Sequence, residues 1–393
     1  MKIAIVGLGG TGSAALRHLA RSGHQVVGYE QFHIGHTHGS SHGESRLIRY
    51  MYRDPFYMQL VADAYRLWDE LEKDAQEQLF VRCGGLYFGH KDNPNIAATE
   101  RSLIDAQLPY DRFNAEEIKL KYPAFKLQPD EIALYQQDSG FLRATRCVQA
   151  NIRLAKAHGA VVHEQTPVKE IVSSSENGKI LVRCSSDNTI DEEFDRVIVT
   201  AGPWMTRIFK DLNLPLKLTR QQIVYLNIND HEEYFQADGT FPVWADSETN
   251  YYGFPSDGQI DGIKLASDNL GEAITDVDAH RRPVDDVYID QIRQYAEKRF
   301  PNLGKTVTHS QTCIYTNTPN ADFIVDHVPN QPNVFLVSGC SGHGFKFTIL
   351  LGKIIAMMAI GDEKYERDLS RFQIASFKSF IESVDTNLLN KRY

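Results

Sequence analysis

The sequence has few cysteines, five in 393 residues, at positions 83, 147, 184, 313 and 340. The number is odd and no CxxC pair occurs, which argues against a disulfide framework or a structural zinc site. Each cysteine is by default a small buried apolar residue. No long Lys/Arg run is present, and the net charge is −9. Nucleic acid would need a strong local basic patch against that background, so no nucleic-acid partner is expected. Long apolar runs are also missing. TILLGKIIAMMAIG at 348–361 is too short to span a membrane and carries Lys353. The opening MKIAIVGLGG is broken by glycines too early for a signal peptide and reads as a buried first strand. With neither pattern, the cytoplasm and no membrane partner are the expectations; nothing heptad-like appears, and a monomer is expected. Internal repeats and low-complexity segments are absent too. What remains is an ordinary globular composition, 42% hydrophobic and 24% charged, on a chain long enough for two domains.

The front of the chain carries the clearest pattern. Residues 2–6 read as a strand, apolar without a break from Ile3 to Val6, as in a parallel strand buried on both faces. Gly7-x-Gly9-x-x-Gly12 follows, then Ala14, Ala15, Leu16, Leu19 and Ala20 at helical spacing, a stop at Gly23, and a second strand closing on Glu30. The chemistry suits a dinucleotide. Gly7 permits the tight turn, Gly9 lets the backbone approach a pyrophosphate, and Gly12 allows close helix–strand packing. The helix N-terminus offers N–H groups and a positive dipole end to the phosphates. Glu30 would accept hydrogen bonds from ribose hydroxyls. The motif does not separate NAD from FAD, and a glycine-rich turn without a ligand would look the same.

After Glu30 comes a loop rich in His, Gly and Ser. His33, His36, His38 and His42 suggest a metal, but the intervening Gly and Ser predict an irregular loop with no fixed ligand geometry, so no metal is expected. Helices are predicted at about 56–72, 144–157 and 284–299. Strands are predicted at 160–172 and 196–204 and in alternating pieces over 219–270, with turn-rich, strand-like pieces at 84–142. The segment 333–361 reads as strand, glycine-rich turn and helix. The plan is α/β with interleaved segments: a Rossmann-like nucleotide domain from 1–83, 143–217 and 311–393, and a β-sheet-based substrate domain from 84–142 and 218–310.

The second glycine-rich turn, Gly339, Gly342 and Gly344, again brings backbone close to a ligand at a helix N-terminus, with Lys346 nearby. Two such turns suit an extended, two-ended cofactor. FAD fits better than NAD, because a reduced flavin places negative charge at its pyrimidine end.

Three separated stretches, GSSHGESRLIRYMYRD, CIYTNTPNADFIVD and GCSGHGFKF, resemble the monomeric sarcosine oxidase and N-methyltryptophan oxidase family of FAD-dependent amine oxidases. The resemblance runs from the first strand to the last helix and implies a glutathione-reductase-2-like two-domain flavoenzyme. It implies FAD bound covalently through Cys313, whose thiolate nearby cations would favour; read alone, Cys313 is a buried apolar cysteine. It implies Arg46 near the flavin and a clamp of Arg49 and Lys346 on a substrate carboxylate, which suits a guanidinium fork; a solvated basic face is the alternative. Lys264 corresponds to an oxygen-activating lysine that would stabilise developing superoxide charge, although a strand-end lysine is ordinary. Tyr252 and Tyr315 correspond to active-site tyrosines, or are core aromatics with bonded hydroxyls. His42 corresponds to a histidine beside the flavin, and Gly342, His343 and Gly344 to the turn at its pyrimidine side. Val168, in the 160–172 strand, is taken with them as a cofactor contact.

The sequence departs from the family at three places. Asp268 stands where a histidine is usual and becomes a candidate substrate contact, Cys340 replaces an aromatic, and Ser41 replaces one of two adjacent histidines. The implied activity is oxidation of a secondary amine, an N-alkyl amino acid, to an imine, with dioxygen reduced to hydrogen peroxide. The substrate side differs enough that sarcosine itself is not carried over. The alternatives are a flavin dehydrogenase with another acceptor, a pyridine-nucleotide dehydrogenase, and a flavin-binding protein without catalysis.

Overall fold

The computed structural model describes residues 1–173, 178–185, 191–277, 283–362, 365 and 367–377. Its centre is a six-stranded sheet in the order Ile324–Val328, Gln331–Ser338, Arg196–Val199, Lys2–Val6, Gln25–Tyr29, Val161–His163. All neighbours pair in parallel except the Ile324–Val328 edge. Alternation decides which face each side chain serves. Ile3, Ile5 and Val26 pack with Leu16, Leu19 and Ile355 of the helices Gly10–Arg21 and Thr348–Ile360. Ala4, Val6, Val27 and Tyr29 pack on the other face with Ile180, Val182 and Phe194 of a separate antiparallel sheet, Val168–Ser173, Ile180–Cys184, Asp191–Phe194. Both faces are covered, which is why the first strand reads as an unbroken apolar run.

A nine-stranded mixed sheet forms the second layer. Its order is Glu272–Ala273, Lys217–Ile228, Ile263–Ser267, Tyr251–Phe254, Val243–Asp246, Gly85–His90, Glu131–Gln136, Asp111–Asn114, and the long strand Leu303–Asn317 also pairs with Lys217–Ile228. One face buries Val224, Leu226, Trp244 and Leu265 against Ile292, Tyr295 and Phe300, from the helix Asp286–Arg299 and its C-terminal end. The other face carries Ile223, Tyr225, Tyr252, Ala266, Cys313 and Tyr315. A small sheet, Arg46–Ile48, Gly140–Leu142, Phe80–Arg82, is hydrogen-bonded to neither, and its Val81 and Phe141 pack against Val243 and Phe254 of the nine-stranded sheet.

Two local predictions change. The 160–172 strand is two strands in different sheets, Val161–His163 and Val168–Ser173, because Gln165 takes a positive φ of 53° and Pro167 has no N–H to donate. The 84–142 stretch also holds helices Pro94–Asp105 and Ala115–Lys121, each opened by an asparagine cap, Asn93 and Asn114. Position 311 falls within the strand Leu303–Asn317, whose register with Lys217–Tyr225 is continuous from His309 to Asn317 and sets Cys313 on the nine-stranded sheet. Residues 378–393 of the proposed nucleotide domain lie outside the described residues.

Candidate active site

A cavity of about 420 Å³ runs from the glycine-rich front of the first helix to the face of the nine-stranded sheet. At its nucleotide end, Gly7 has φ of 90° and its N–H donates to the Tyr29 carbonyl at 2.9 Å. A Cβ on Gly12 would overlap the Gly7 carbonyl oxygen, so the turn and helix close on each other only with glycine there. The Gly10 N–H donates to Ser41 Oγ at 2.9 Å. Otherwise the helix Gly10–Arg21 has no side-chain cap and no acid in its first turn, which leaves its positive end for an anion. Glu30 is 4% exposed and held on both oxygens, accepting from Leu8 N at 3.0 Å and Phe32 N at 3.1 Å. It still borders the cavity, where its remaining lone pairs suit ribose hydroxyls. Val168 lines the same end, beside Thr166 and Pro167. These features fit the adenosine diphosphate half of FAD.

Strand register builds the other end. Tyr225 pairs with Lys264, Phe254 with Lys264, Tyr252 with Ala266, and Gln221 with Cys313. Directly paired residues share a face, so Lys264, Tyr252, Cys313 and Tyr315 emerge together although 63 residues separate the first tyrosine from the second. The Tyr252 and Tyr315 hydroxyls are 3.4 Å apart, and burial raises both above the usual phenol pKa. Lys264 is buried, donates to Ser45 O at 2.9 Å and Ser45 Oγ at 3.2 Å, and sits 4.5 Å from the Phe254 ring centre. Burial, then the Arg46 guanidinium, holds its ammonium pKa well below the usual lysine value. Arg46 donates to Ser45 O at 3.0 Å and Ser40 O at 3.2 Å.

Cys313 is 5% exposed. Arg46 and Lys264 favour its thiolate, as the resemblance implies, but burial outweighs them and the thiol pKa is raised. The local field alone therefore leaves Cys313 a thiol. His42 is also buried. Burial, then Arg46 and Lys264, lowers its ring to about 3, so it is neutral. The Gln311 side-chain amide lies 2.5 Å from Nδ1 and fixes the ring's position.

The glycine turn 339–344 brings in the remaining groups. Gly342 has φ of 84°, and a Cβ there would overlap the Tyr315 ring. Gly344 leaves room for the Cys340 side chain, and Cys340 lines the cavity with its thiol raised to about 11 by burial. Lys346 donates to Tyr52 Oη at 3.0 Å and to the His343 carbonyl at 2.9 Å. Burial, then Arg49, lowers it to about 7, while Asp268 acts the other way. Arg49 lies 5.1 Å from the Tyr87 ring centre, and its Nη1 is buried with no hydrogen-bond partner among the described residues.

The structure brings Gly7, Gly9, Glu30, Arg46, Arg49, Val168, Tyr252, Lys264, Asp268, Cys313, Tyr315, Gly342, His343, Gly344 and Lys346 to one cavity wall. Gly12 and His42 do not line it; Gly12 sets the turn and His42 sits behind the wall. Sequence reasoning missed Tyr52, which holds Lys346, and Ser45, which holds Lys264. Neither follows a periodic pattern that would single it out. Among the described residues, no group of three or more His, Cys, Asp or Glu could hold a metal. No helix among them is long and apolar enough to cross a membrane.

A monomeric sarcosine oxidase of Streptomyces avermitilis is 31% identical over 363 residues, covering 91% of this chain and 93% of that one. An N-methyl-L-tryptophan oxidase of Escherichia coli is 32% identical over 389 residues, covering 95% and 98%. The solved structure of NikD, an unusual amino acid oxidase essential for nikkomycin biosynthesis, superposes with a TM-score of 0.81 at 21% identity over 94% of this chain and 96% of that one, which speaks for the fold. The profile described as FAD dependent oxidoreductase matches residues 2–358. With a dinucleotide turn at one end of its cavity and buried cations at the other, the chain belongs to the FAD dependent oxidoreductase family.

Proposed function

We propose that the protein is an oxidase of secondary amines, N-alkyl amino acids, with FAD attached through Cys313 and dioxygen as electron acceptor. The observation that carries the substrate class is Arg49, a half-buried guanidinium whose buried Nη1 has no hydrogen-bond partner among the described residues, on the cavity wall that Lys346 also lines. A guanidinium fork with a buried donor left open calls for a carboxylate. The two relatives named above are called after N-methylated amino acids, which supports an amine beside that carboxylate.

FAD supplies the redox chemistry when bound, accepting a hydride equivalent from the carbon next to nitrogen and passing the electrons to dioxygen, released as hydrogen peroxide. The chain's residues supply placement and charge. Arg49 and Lys346 hold the carboxylate, which orients the amine. Tyr252 and Tyr315 stay neutral and present hydroxyls to the cavity. Lys264 and Arg46 are fixed by backbone and hydroxyl oxygens, and the Arg46 guanidinium, with Lys264 when it is protonated, meets negative charge that develops nearby. The imine product is hydrolysed by water to a carbonyl compound and an amine.

Acid precipitation of the purified protein, with visible spectra of pellet and supernatant, tests the linkage. A yellow pellet and a one-flavin mass gain on the peptide holding Cys313 are expected; yellow in the supernatant alone would withdraw the linkage. Peroxide release with a panel of N-methyl and cyclic amino acids tests the reaction. Flavin reduction by none of them would sink it.

A further inference from the structure

Lys346 Nζ is a tetrahedral nitrogen with most of its positions assigned. One bond goes to its own side chain. The His343 carbonyl, 2.9 Å away, can only accept. The role of the Tyr52 hydroxyl follows from the His343 ring. The Ala321 carbonyl lies 3.1 Å from His343 Nε2 and must take a proton from it, so in the neutral ring Nδ1 is the acceptor. Tyr52 Oη is 3.1 Å from Nδ1 and donates its proton there. Its oxygen then faces Lys346, 3.0 Å away, with lone pairs alone. Two of the lysine protons are thus given to the protein, and a single position remains for the cavity that Lys346 lines. That position holds an N–H in the ammonium and a lone pair in the amine.

We propose that Lys346 accepts, through this one open position, the proton that a bound secondary ammonium loses before it is oxidised. The inference rests on the reading of the cavity as a site for an amine and a carboxylate. An N–H bond of the substrate ammonium breaks, its electron pair stays on the substrate nitrogen, and the proton bonds to Nζ. No electron is transferred and the total charge is unchanged. The substrate becomes a neutral amine, the form that can release a hydride from the adjacent carbon. Lys346 becomes the ammonium that pairs with the carboxylate. The charged and titratable groups around Nζ are Arg49, Asp268, Tyr52 and His343. Burial and Arg49 lower Lys346 to about 7, so above neutrality the free enzyme offers the lone pair.

The test counts protons. The holoenzyme is mixed rapidly and anaerobically, in weak buffer at about pH 8 with a pH indicator, with the N-methyl amino acid it oxidises best or with (methylthio)acetic acid. The thioether acid offers a carboxylate and no ammonium proton. With the amine, the proton should stay inside the complex and the bulk pH should not change. With the thioether acid, about one proton per site should be taken from the buffer. In Lys346→Arg and Lys346→Met, the amine should release about one proton per site and the thioether acid should take up none. Proton release by the wild-type enzyme on binding the amine, or no uptake with the thioether acid, would overturn the proposal. Both wild-type results stand whether or not the variants fold. Failure of the amine-oxidase reading shows separately, as flavin absorbance that no amine bleaches.

Discussion

Replacing Arg49 with methionine should separate binding from stability. The guanidinium is 5.1 Å from the Tyr87 ring centre and its Nη1 is buried without a partner among the described residues. A buried donor without an acceptor costs roughly 1–3 kcal/mol. The cation–π contact returns roughly 0.5–2 kcal/mol. The two nearly cancel, so Arg49→Met should change the stability of the free protein by no more than about 1–2 kcal/mol, a melting shift of a few degrees. Ligand binding should respond differently. Removing one partner of a buried, hydrogen-bonded charge pair costs about 2–5 kcal/mol. At 1.4 kcal/mol per tenfold, that weakens Kd by roughly 30-fold to several thousand-fold. Arg49→Lys keeps the charge without the fork and should fall between. The assay is a titration of the flavin absorbance with the thioether acid, run beside a thermal melt of the same samples. A variant that melts far below wild type yet binds the acid equally well would show that Arg49 is a structural residue and refute the reasoning.

Lys264→Met should leave amine-driven flavin reduction within a few-fold and slow reoxidation by dioxygen about 10²–10³-fold, because a fixed cation is removed from where charge develops. Rapid mixing of the reduced enzyme with oxygen measures it, and an unchanged rate would remove Lys264 from that step. Asp268 lines the cavity and acts electrostatically on Lys346, Tyr252 and Tyr315. Asp268→His should therefore reorder amine preference while the oxygen step stays within a few-fold, and an unchanged preference would show that Asp268 does not contact the substrate. Burial lowers both His18 and His42 from 6.5 to about 3. The folded state then refuses protons that the unfolded chain accepts. Stability is fully present above about pH 6.5 and is lost as pH falls toward 3, at about 1.4 kcal/mol per pH unit for each ring. Urea midpoints between pH 6 and 4 should fall less steeply in His18→Gln, by the share of one proton; an identical slope would mean that His18 does not titrate in this way.

Several features were legible because their causes are local. The turn at Gly7 needs a positive φ, Gly12 must pass close to the Gly7 carbonyl, and Glu30 closes the second strand. These constraints lie within about 30 residues, so glycine spacing and an apolar run were enough to read them. The helices Pro94–Asp105 and Ala115–Lys121 also left local signs, Asn93-Pro94 and the Asn114–Glu117 capping box, which the surrounding turn residues obscured. Lys264, Cys313, Tyr252 and Tyr315 could be grouped only through family resemblance, since no local pattern links them.

The sequence by itself determined the dinucleotide turn, the second glycine-rich turn and the family, because short-range backbone geometry and distinctive motifs carry that information. Tertiary structure decided which cations meet and in what state. Register across the nine-stranded sheet sets Lys264 opposite Tyr225 on the face that carries Cys313. A turn more than 290 residues along the chain from Arg46 and Arg49 delivers Lys346 to the same cavity. Burial, a property of the packed interior alone, then holds Cys313 as a thiol and brings Lys346 to about 7.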